Sequence, residues 1–204
     1  VGASARTGRV YTKRLRGVEV VERRMGLRTE HDYVTPIGTV TTAHQRTVDL
    51  DNAGITALEI EQAIKTEADY DVCKYIIENT EYYPAYDEFE AYDSDIGDRG
   101  LPMVATEDVP FHHYLNVLVG YGKGYLDIMD YPDKFESLLE VMENNLREKM
   151  WPVVANSPGT LFLHGAHLAS TITPPNFFDK YLTPYMREFA DYMHDHGKIV
   201  GHHA

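Results

Sequence analysis

The chain has 204 residues, 43% of them hydrophobic and 25% charged, which is the composition of a globular protein with one sizeable core. Its net charge of -13 argues against a nucleic-acid surface, because phosphate recognition needs clustered Lys and Arg. No apolar run approaches the ~20 residues of a membrane-spanning helix, so we expect neither nucleic acid nor membrane as a partner. The single cysteine, Cys73, permits no intramolecular disulfide and agrees with a cytoplasmic location.

Charge is unevenly distributed along the chain. Residues 1–28 hold eight basic side chains and two acidic ones, so the rest of the chain carries the negative charge. The favoured interpretation is the solvated surface of an N-terminal hairpin. The alternative is a docking surface for an acidic partner or an anionic substrate.

The first quarter of the chain has the pattern of extended strands. Residues 8–50 alternate polar and β-branched residues and are interrupted by turn signals at Gly17 and in "TPIG" (residues 35–38). The sequence therefore predicts an antiparallel β-hairpin layer as a first domain, residues 1–50. Helical spacing follows over 58–77 and predicts two short helices that are interrupted near residues 66–70.

The remaining chain alternates short apolar segments with helical ones. Strands are predicted at "LPMVAT" (101–106), "TLFLHGAH" (160–167) and "KIVGHH" (198–203), with amphipathic helices between them. The apolar stripe of the helix that begins near Pro132 comprises Phe135, Leu138, Leu139, Met142, Leu146 and Met150, and that of the helix ended by Gly197 comprises Phe178, Leu182, Tyr185, Phe189 and Met193. This order is typical of parallel βα units, which build a doubly wound sheet or a (β/α)8 barrel. No strand is followed by a glycine-rich phosphate-binding motif, which weakens the dinucleotide-binding option.

Titratable side chains follow each of the three predicted strands. Glu107-Asp108, with His112 and His113 shortly after, follow the first, and His164 and His167 lie at the end of the second. The third ends in His202-His203, and strand alternation sends only one of these two toward the site. Because parallel α/β folds gather functional groups at the carboxyl ends of their strands, we expect an active site there.

The C-terminal part of the chain resembles the uroporphyrinogen decarboxylase family, nearer its methyltransferase-like and uncharacterised branch than the true decarboxylase. The resemblance is carried by "YVTPIGTV" (33–40) and by "TITPPNFFDKYLTPYMREFADYMHDHGKIVGHHA", in which the matching residues are Thr171, Ile172, Thr173, Pro174, Pro175, Phe178, Tyr181, Pro184, Tyr185, His194, Gly197, Lys198 and His203.

The resemblance implies an α/β protein with a (β/α)8 TIM-type barrel. A complete barrel needs about 250 residues, so residues 51–204 are expected to be only its N-terminal part, truncated at a strand end. The implied activity is methyl transfer to a small-molecule acceptor, with a corrinoid carried by a partner protein and zinc activating the acceptor. His203 matches a family zinc ligand, and we expect His164, His167 and Glu107 to be the catalytic residues.

Two alternatives stay open. One is a cofactor-free decarboxylase of porphyrinogens, in which a carboxylate at the strand ends stabilises a protonated pyrrole-like intermediate. That activity needs an arginine-rich motif to hold the substrate carboxylates, and the arginines of residues 6–28 do not form it. The other is an inactive fragment of a barrel that acts only by binding.

Overall fold

The computed structural model describes residues 6–7, 10–54 and 57–203, and of residues 6, 7, 51 and 203 it describes the backbone alone. These residues form two compact units. The first unit comprises the described parts of 1–14, 81–112 and 143–204, and the second those of 15–80 and 113–142. The division expected from the sequence, 1–50 and 51–204, stays a prediction.

The elements of secondary structure alternate along most of the chain. The strands are β1 (Arg6–Thr7), β2 (Tyr11–Leu15), β3 (Glu19–Met25), β4 (Arg28–Thr35), β5 (Gly38–Gln45), β6 (Leu58–Glu61), β7 (Thr80–Pro84), β8 (Met103–Asp108), β9 (Leu161–Gly165) and β10 (Ile199–His203). The α-helices are α1 (Val48–Asn52), α2 (Asp69–Glu78), α3 (Tyr86–Ile96), α4 (Pro110–His113), α5 (Tyr121–Asp130), α6 (Pro132–Asn145), α7 (Trp151–Ala155), α8 (Pro175–Phe177) and α9 (Thr183–Asp195). A short 3₁₀ turn (Gly97–Arg99) follows α3, and π-helical segments follow α4 (Tyr114–Val119), α6 (Leu146–Met150) and α8 (Phe178–Leu182).

The first unit is built on a parallel sheet with the strand order β1-β8-β9-β10. Val104 and Phe162 lie opposite each other at its centre, and both are fully buried. The prediction of a (β/α)8 barrel, complete or partial, is wrong. Across the described residues only these four strands run parallel, with β1 and β10 at the two edges, and a barrel closes only when every strand has two neighbours. Strands β2 and β7 form a separate pair.

Two amphipathic helices bury the faces that the sequence indicates. In α9 and the turn before it, the side chains of Leu182, Tyr185, Phe189 and Met193 are buried. Gly197 ends this helix with a positive φ of 70°, a conformation that glycine adopts without strain, and the next N–H, of residue 198, donates back to a helical carbonyl. The predicted stripe on α6 and its π-helical extension is confirmed, because all its members are buried: Phe135, Leu138, Leu139, Met142, Leu146 and Met150.

The second unit contains an antiparallel sheet with the order β3-β4-β5-β6. The expected hairpins are therefore present between residues 19 and 45. The helix predicted over residues 58–65 is wrong, because 58–61 form strand β6 and pair with β5. Leu58 and Ile60 fit helical spacing, but in "LEIE" they also alternate with acids, and cross-strand pairing determines the outcome.

A buried polar cluster joins the helices of the second unit. The Tyr70 hydroxyl on α2 donates to the Asp127 carboxylate on α5 at 3.0 Å and lies 2.7 Å from the Tyr114 hydroxyl. Burial raises the pKa of both phenols, so they stay neutral. Lys123 forms an ion pair with Asp127 from one turn earlier in α5. This cluster supplies the buried carboxylate with donors, without which its burial would be strongly unfavourable.

We expect Asp127→Ala to destabilise the second unit by about 2 kcal/mol, because it leaves the buried Tyr70 hydroxyl without its charged acceptor. The free energy of unfolding is measured by urea titration with circular dichroism. Asp130→Ala, at an exposed position of the same helix, is the matched control and changes stability by less than about 0.5 kcal/mol. Equal effects of the two substitutions would contradict a structural role for the cluster.

Candidate functional site

Strand β8 has a one-residue bulge where it ends beside β9. Ala105 pairs with Leu163, but the next pair is Asp108 and Gly165, so β8 uses one residue more than β9 over this stretch. The N–H of Val109 donates to the carbonyl of Gly165 at 2.8 Å and holds the two strands together beyond the bulge. A Cβ atom at position 165 would collide with the Asp108 carboxylate, so any larger residue there would displace this side chain.

His164 lies in the core and not at the end of the sheet. Its imidazole is fully buried, with its ring centroid 4.4 Å from that of Phe189 on α9. Its Nδ1 and the Thr106 hydroxyl are hydrogen-bonded at 2.8 Å, and its Nε2 has no hydrogen-bond partner among the described residues. Burial, with a smaller effect of nearby His202, lowers the pKa of His164 to about 3. His164 is therefore a neutral side chain that packs under a helix.

His112 and His167, called here the histidine pair, lie at the carboxyl end of the parallel sheet. Their ring centroids are 4.2 Å apart. His112 is buried and lies one helical turn after Asp108, and the distance from His112 Nδ1 to Asp108 Oδ2 is 3.6 Å. His167, in contrast, is exposed to solvent. Burial first, and the neighbouring imidazole second, lower the pKa of His112 to about 4. At neutral pH His112 is thus an uncharged, buried imidazole in contact with the exposed ring of His167.

Glu107 is held by the N-terminal part of the first unit. The Tyr11 hydroxyl donates to its Oε1 at 2.8 Å, and Lys13 pairs with its Oε2 at 2.9 Å. Both partners come from β2, and the Glu107 side chain is only 12% exposed. This carboxylate therefore has a hydroxyl and a cation as partners.

The third predicted position, at the end of β10, is described in part. His202 Nδ1 donates to the carbonyl of His164 at 3.0 Å, which fixes the orientation of this half-buried ring. The backbone of His203 pairs with Gly165, but its side chain lies outside the described residues. The expectation that His203 faces the site and binds metal stays a prediction.

An aromatic stack lies next to the histidine pair in sequence. The rings of Phe111 and Tyr181 are nearly parallel with centroids 5.2 Å apart, and Phe177 stacks on Phe111 at 5.9 Å. Phe111 directly precedes His112, so the stack fixes α4 against the segment that follows α8. Rigid packing of this kind holds the neighbouring imidazole in one orientation.

The structure thus brings together some of the expected site residues and separates others. His167 contacts His112, which in turn lies beside Asp108, whereas His164 faces α9. Sequence reasoning missed Thr106, because a hydroxyl at the end of an apolar strand carries no distinctive pattern. It also missed the contact of Tyr11 with Glu107, which joins residues 96 positions apart.

No group of three or more His, Cys, Asp or Glu side chains that could hold a metal ion occurs within the described part of the chain. Zinc needs three protein ligands and an open position, so the described side chains alone do not fit it. Cys73 is buried in α2, where burial raises the pKa of its thiol to about 12, so this thiol is not a ligand-forming thiolate at neutral pH.

Comparison with known proteins gives no relative: no family model, curated protein or solved structure matches the chain. None of the helices in the described ranges is long and apolar enough to cross a membrane.

We expect His164 to make stability fall with decreasing pH. Its pKa of about 3 in the folded protein lies below the ordinary ~6.5, so the unfolded chain binds the proton more tightly between these values. The free energy of unfolding should therefore fall by about 2 kcal/mol between pH 7 and pH 5 through this residue. Urea unfolding at both pH values measures the fall, and His164→Asn should reduce it by that amount.

The matched control for this measurement is His194→Asn, which removes an exposed imidazole of α9. It should leave the pH dependence of stability unchanged. If the control and His164→Asn give the same slope, the buried neutral state assigned to His164 is wrong.

Proposed function

We propose that the chain catalyses methyl transfer to a small thiol or hydroxyl acceptor, and that its site lies around the histidine pair. One observation carries this proposal. An exposed imidazole, His167, lies against a buried neutral one, His112, at the carboxyl end of a parallel sheet, where α/β enzymes hold their catalytic groups. The resemblance of residues 171–203 to the uroporphyrinogen decarboxylase family supports the type of reaction.

The chemistry assigned to this chain is proton removal from the acceptor. His167 is the member of the pair that a ligand can reach, and its imidazole takes the proton as the S–H or O–H bond breaks. The electron pair left on sulfur or oxygen then forms the new bond to the methyl carbon. A corrinoid carried by a partner protein would supply that methyl group; its Co–C bond would break as the new bond forms, and cobalt would keep the electron pair and pass from Co(III) to Co(I).

His112 and Asp108 assist the proton transfer to His167. Because His112 is uncharged at neutral pH, it does not repel the positive charge that develops on His167. The Asp108 carboxylate, whose Oδ2 lies 3.6 Å from His112 Nδ1, favours positive charge at the site. Lys13 already balances the negative charge of Glu107, so Asp108 is the carboxylate that acts on the histidine pair.

The proposed proton transfer to His167 assigns no role to zinc. The predicted ligand His203 has a side chain outside the described residues, and the described side chains offer no complete ligand set. Activation of the acceptor by zinc therefore stays a prediction that depends on His203.

The proposal predicts that His167→Ala lowers methyl transfer by about 10² to 10⁴, the usual contribution of a positioned general base. The assay uses free methylcobalamin as the methyl donor and 2-mercaptoethanol as the acceptor, and follows the absorbance of the corrinoid. His196→Ala is the matched control. His196 is an exposed histidine of the same unit, and its ring is hydrogen-bonded to the backbone carbonyl of Tyr192. It should retain the wild-type rate.

Three results would contradict the proposal in different ways. An unchanged rate in His167→Ala would remove this residue from the reaction. Absence of methyl transfer by the wild-type chain, together with release of carbon dioxide from uroporphyrinogen, would favour the decarboxylase. Binding of a corrinoid protein with neither activity would favour a chain that acts only by binding.

A further inference from the structure

A buried threonine holds the backbone of His167. Thr173 is 4% exposed, and its Oγ1 donates to the His167 carbonyl at 2.9 Å. The two residues lie at opposite ends of a short loop that leaves β9 and leads to α8. Because a buried hydroxyl needs a partner, this hydrogen bond determines where the loop closes.

The loop is also closed by its own backbone. The N–H groups of Ile172 and Thr173 both donate to the carbonyl of Ala169 at 2.8 Å. At the other side, Gly165 is tied to the first residue after β8 by a 2.8 Å hydrogen bond. His167 therefore lies between two fixed points, the end of the parallel sheet and the Thr173 hydroxyl.

This restraint has a consequence for the histidine pair. His167 is exposed, and an exposed side chain samples several rotamers at little energetic cost unless its backbone limits them. Its ring nevertheless lies 4.2 Å from the ring of buried His112. A fixed backbone at His167 reduces the entropy lost when the two rings meet, and the hydroxyl of Thr173 supplies that restraint.

We propose that Thr173 is a positioning residue. Its hydrogen bond to the His167 carbonyl fixes the backbone of the loop and so holds the His167 ring against that of His112. The role rests on the proposed function, in which His167 takes the acceptor's proton. It also gives a physical reason for a hydroxyl residue between Ile172 and Pro174. Thr173 touches no reacting atom and acts only through the backbone of His167.

The experiment compares Thr173→Val, which removes the hydroxyl at nearly constant volume, with Thr173→Ser, which keeps it. Histidine ring signals are titrated by NMR in the full chain, and the reporter is His112. Its pKa is about 4 because of burial and the adjacent His167 ring. Release of His167 removes the second of these causes and should raise the pKa of His112 toward ~6.5 in Thr173→Val. Thr173→Ser should leave it near the wild-type value.

Thr80→Val is the control for loss of a side-chain hydrogen bond elsewhere, since Thr80 Oγ1 donates to the Ile76 carbonyl at 2.8 Å in the second unit. It should not move the His112 titration. If Thr173→Val only lowers stability and leaves that titration unchanged, or if Thr173→Ser fails to rescue it, the positioning role is overturned. If Thr173→Val does not fold, Thr173→Ala, which also removes the hydroxyl, is titrated in its place and compared with Thr173→Ser.

The readout needs no methyl donor, so it is independent of the reaction assigned to the site. A shifted His112 titration in a protein without methyl-transfer activity would support the positioning of His167 and overturn the proposed reaction. An active wild-type protein whose His112 titration is the same with and without the hydroxyl would support the reaction and overturn the role of Thr173.

Discussion

The bulge in β8 is the constraint on which the arrangement of the first unit's candidate site depends. Parallel strands advance together, so without the additional residue Glu107 would lie beside Gly165. The bulge instead brings Asp108 to that position. Asp108 then lies one helical turn before His112 and beside it. A single extra residue thus decides which acid meets the histidine pair, as bulges near functional sites often do.

The two histidines of "LHGAH" show how position alone changes the chemistry of one side chain. His164 follows the strand alternation of buried Phe162 and so faces α9, where burial keeps it neutral. His167 comes three residues later, after the strand has ended, and meets solvent. The same residue type is therefore a packing group at one position and a candidate base at the other.

Local pattern was sufficient for part of the fold. Buried stripes along α6 and α9 and the three apolar strands of the parallel sheet could be predicted, because helix and strand periods are visible within a few residues. The barrel was wrong, because the number of strands in a sheet and its closure depend on pairings that no local window contains. Strand β6 was missed for the same reason, since its pairing with β5 outweighed the helical spacing of Leu58 and Ile60.

The candidate site divides in a similar way. Histidines and acids after each strand could be found by reading strand ends, and His167 and Asp108 are among them. Their burial could not be found, because it depends on which face α9 covers and on a bulge that leaves no mark in the sequence. The contact of Lys13 with Glu107 could not be found either, because it joins segments 94 residues apart.

The pairing of β1 with β8 has a consequence for the order in which the protein folds. The whole meander β3–β6 lies between these two strands in sequence, and its hairpins are joined by short turns. Closing short loops costs less chain entropy than closing long ones, so the meander can form while the ends of the parallel sheet are still apart. The histidine pair joins residues of two distant chain segments and would be assembled late, so that a nascent chain has a formed antiparallel sheet before it has the candidate site.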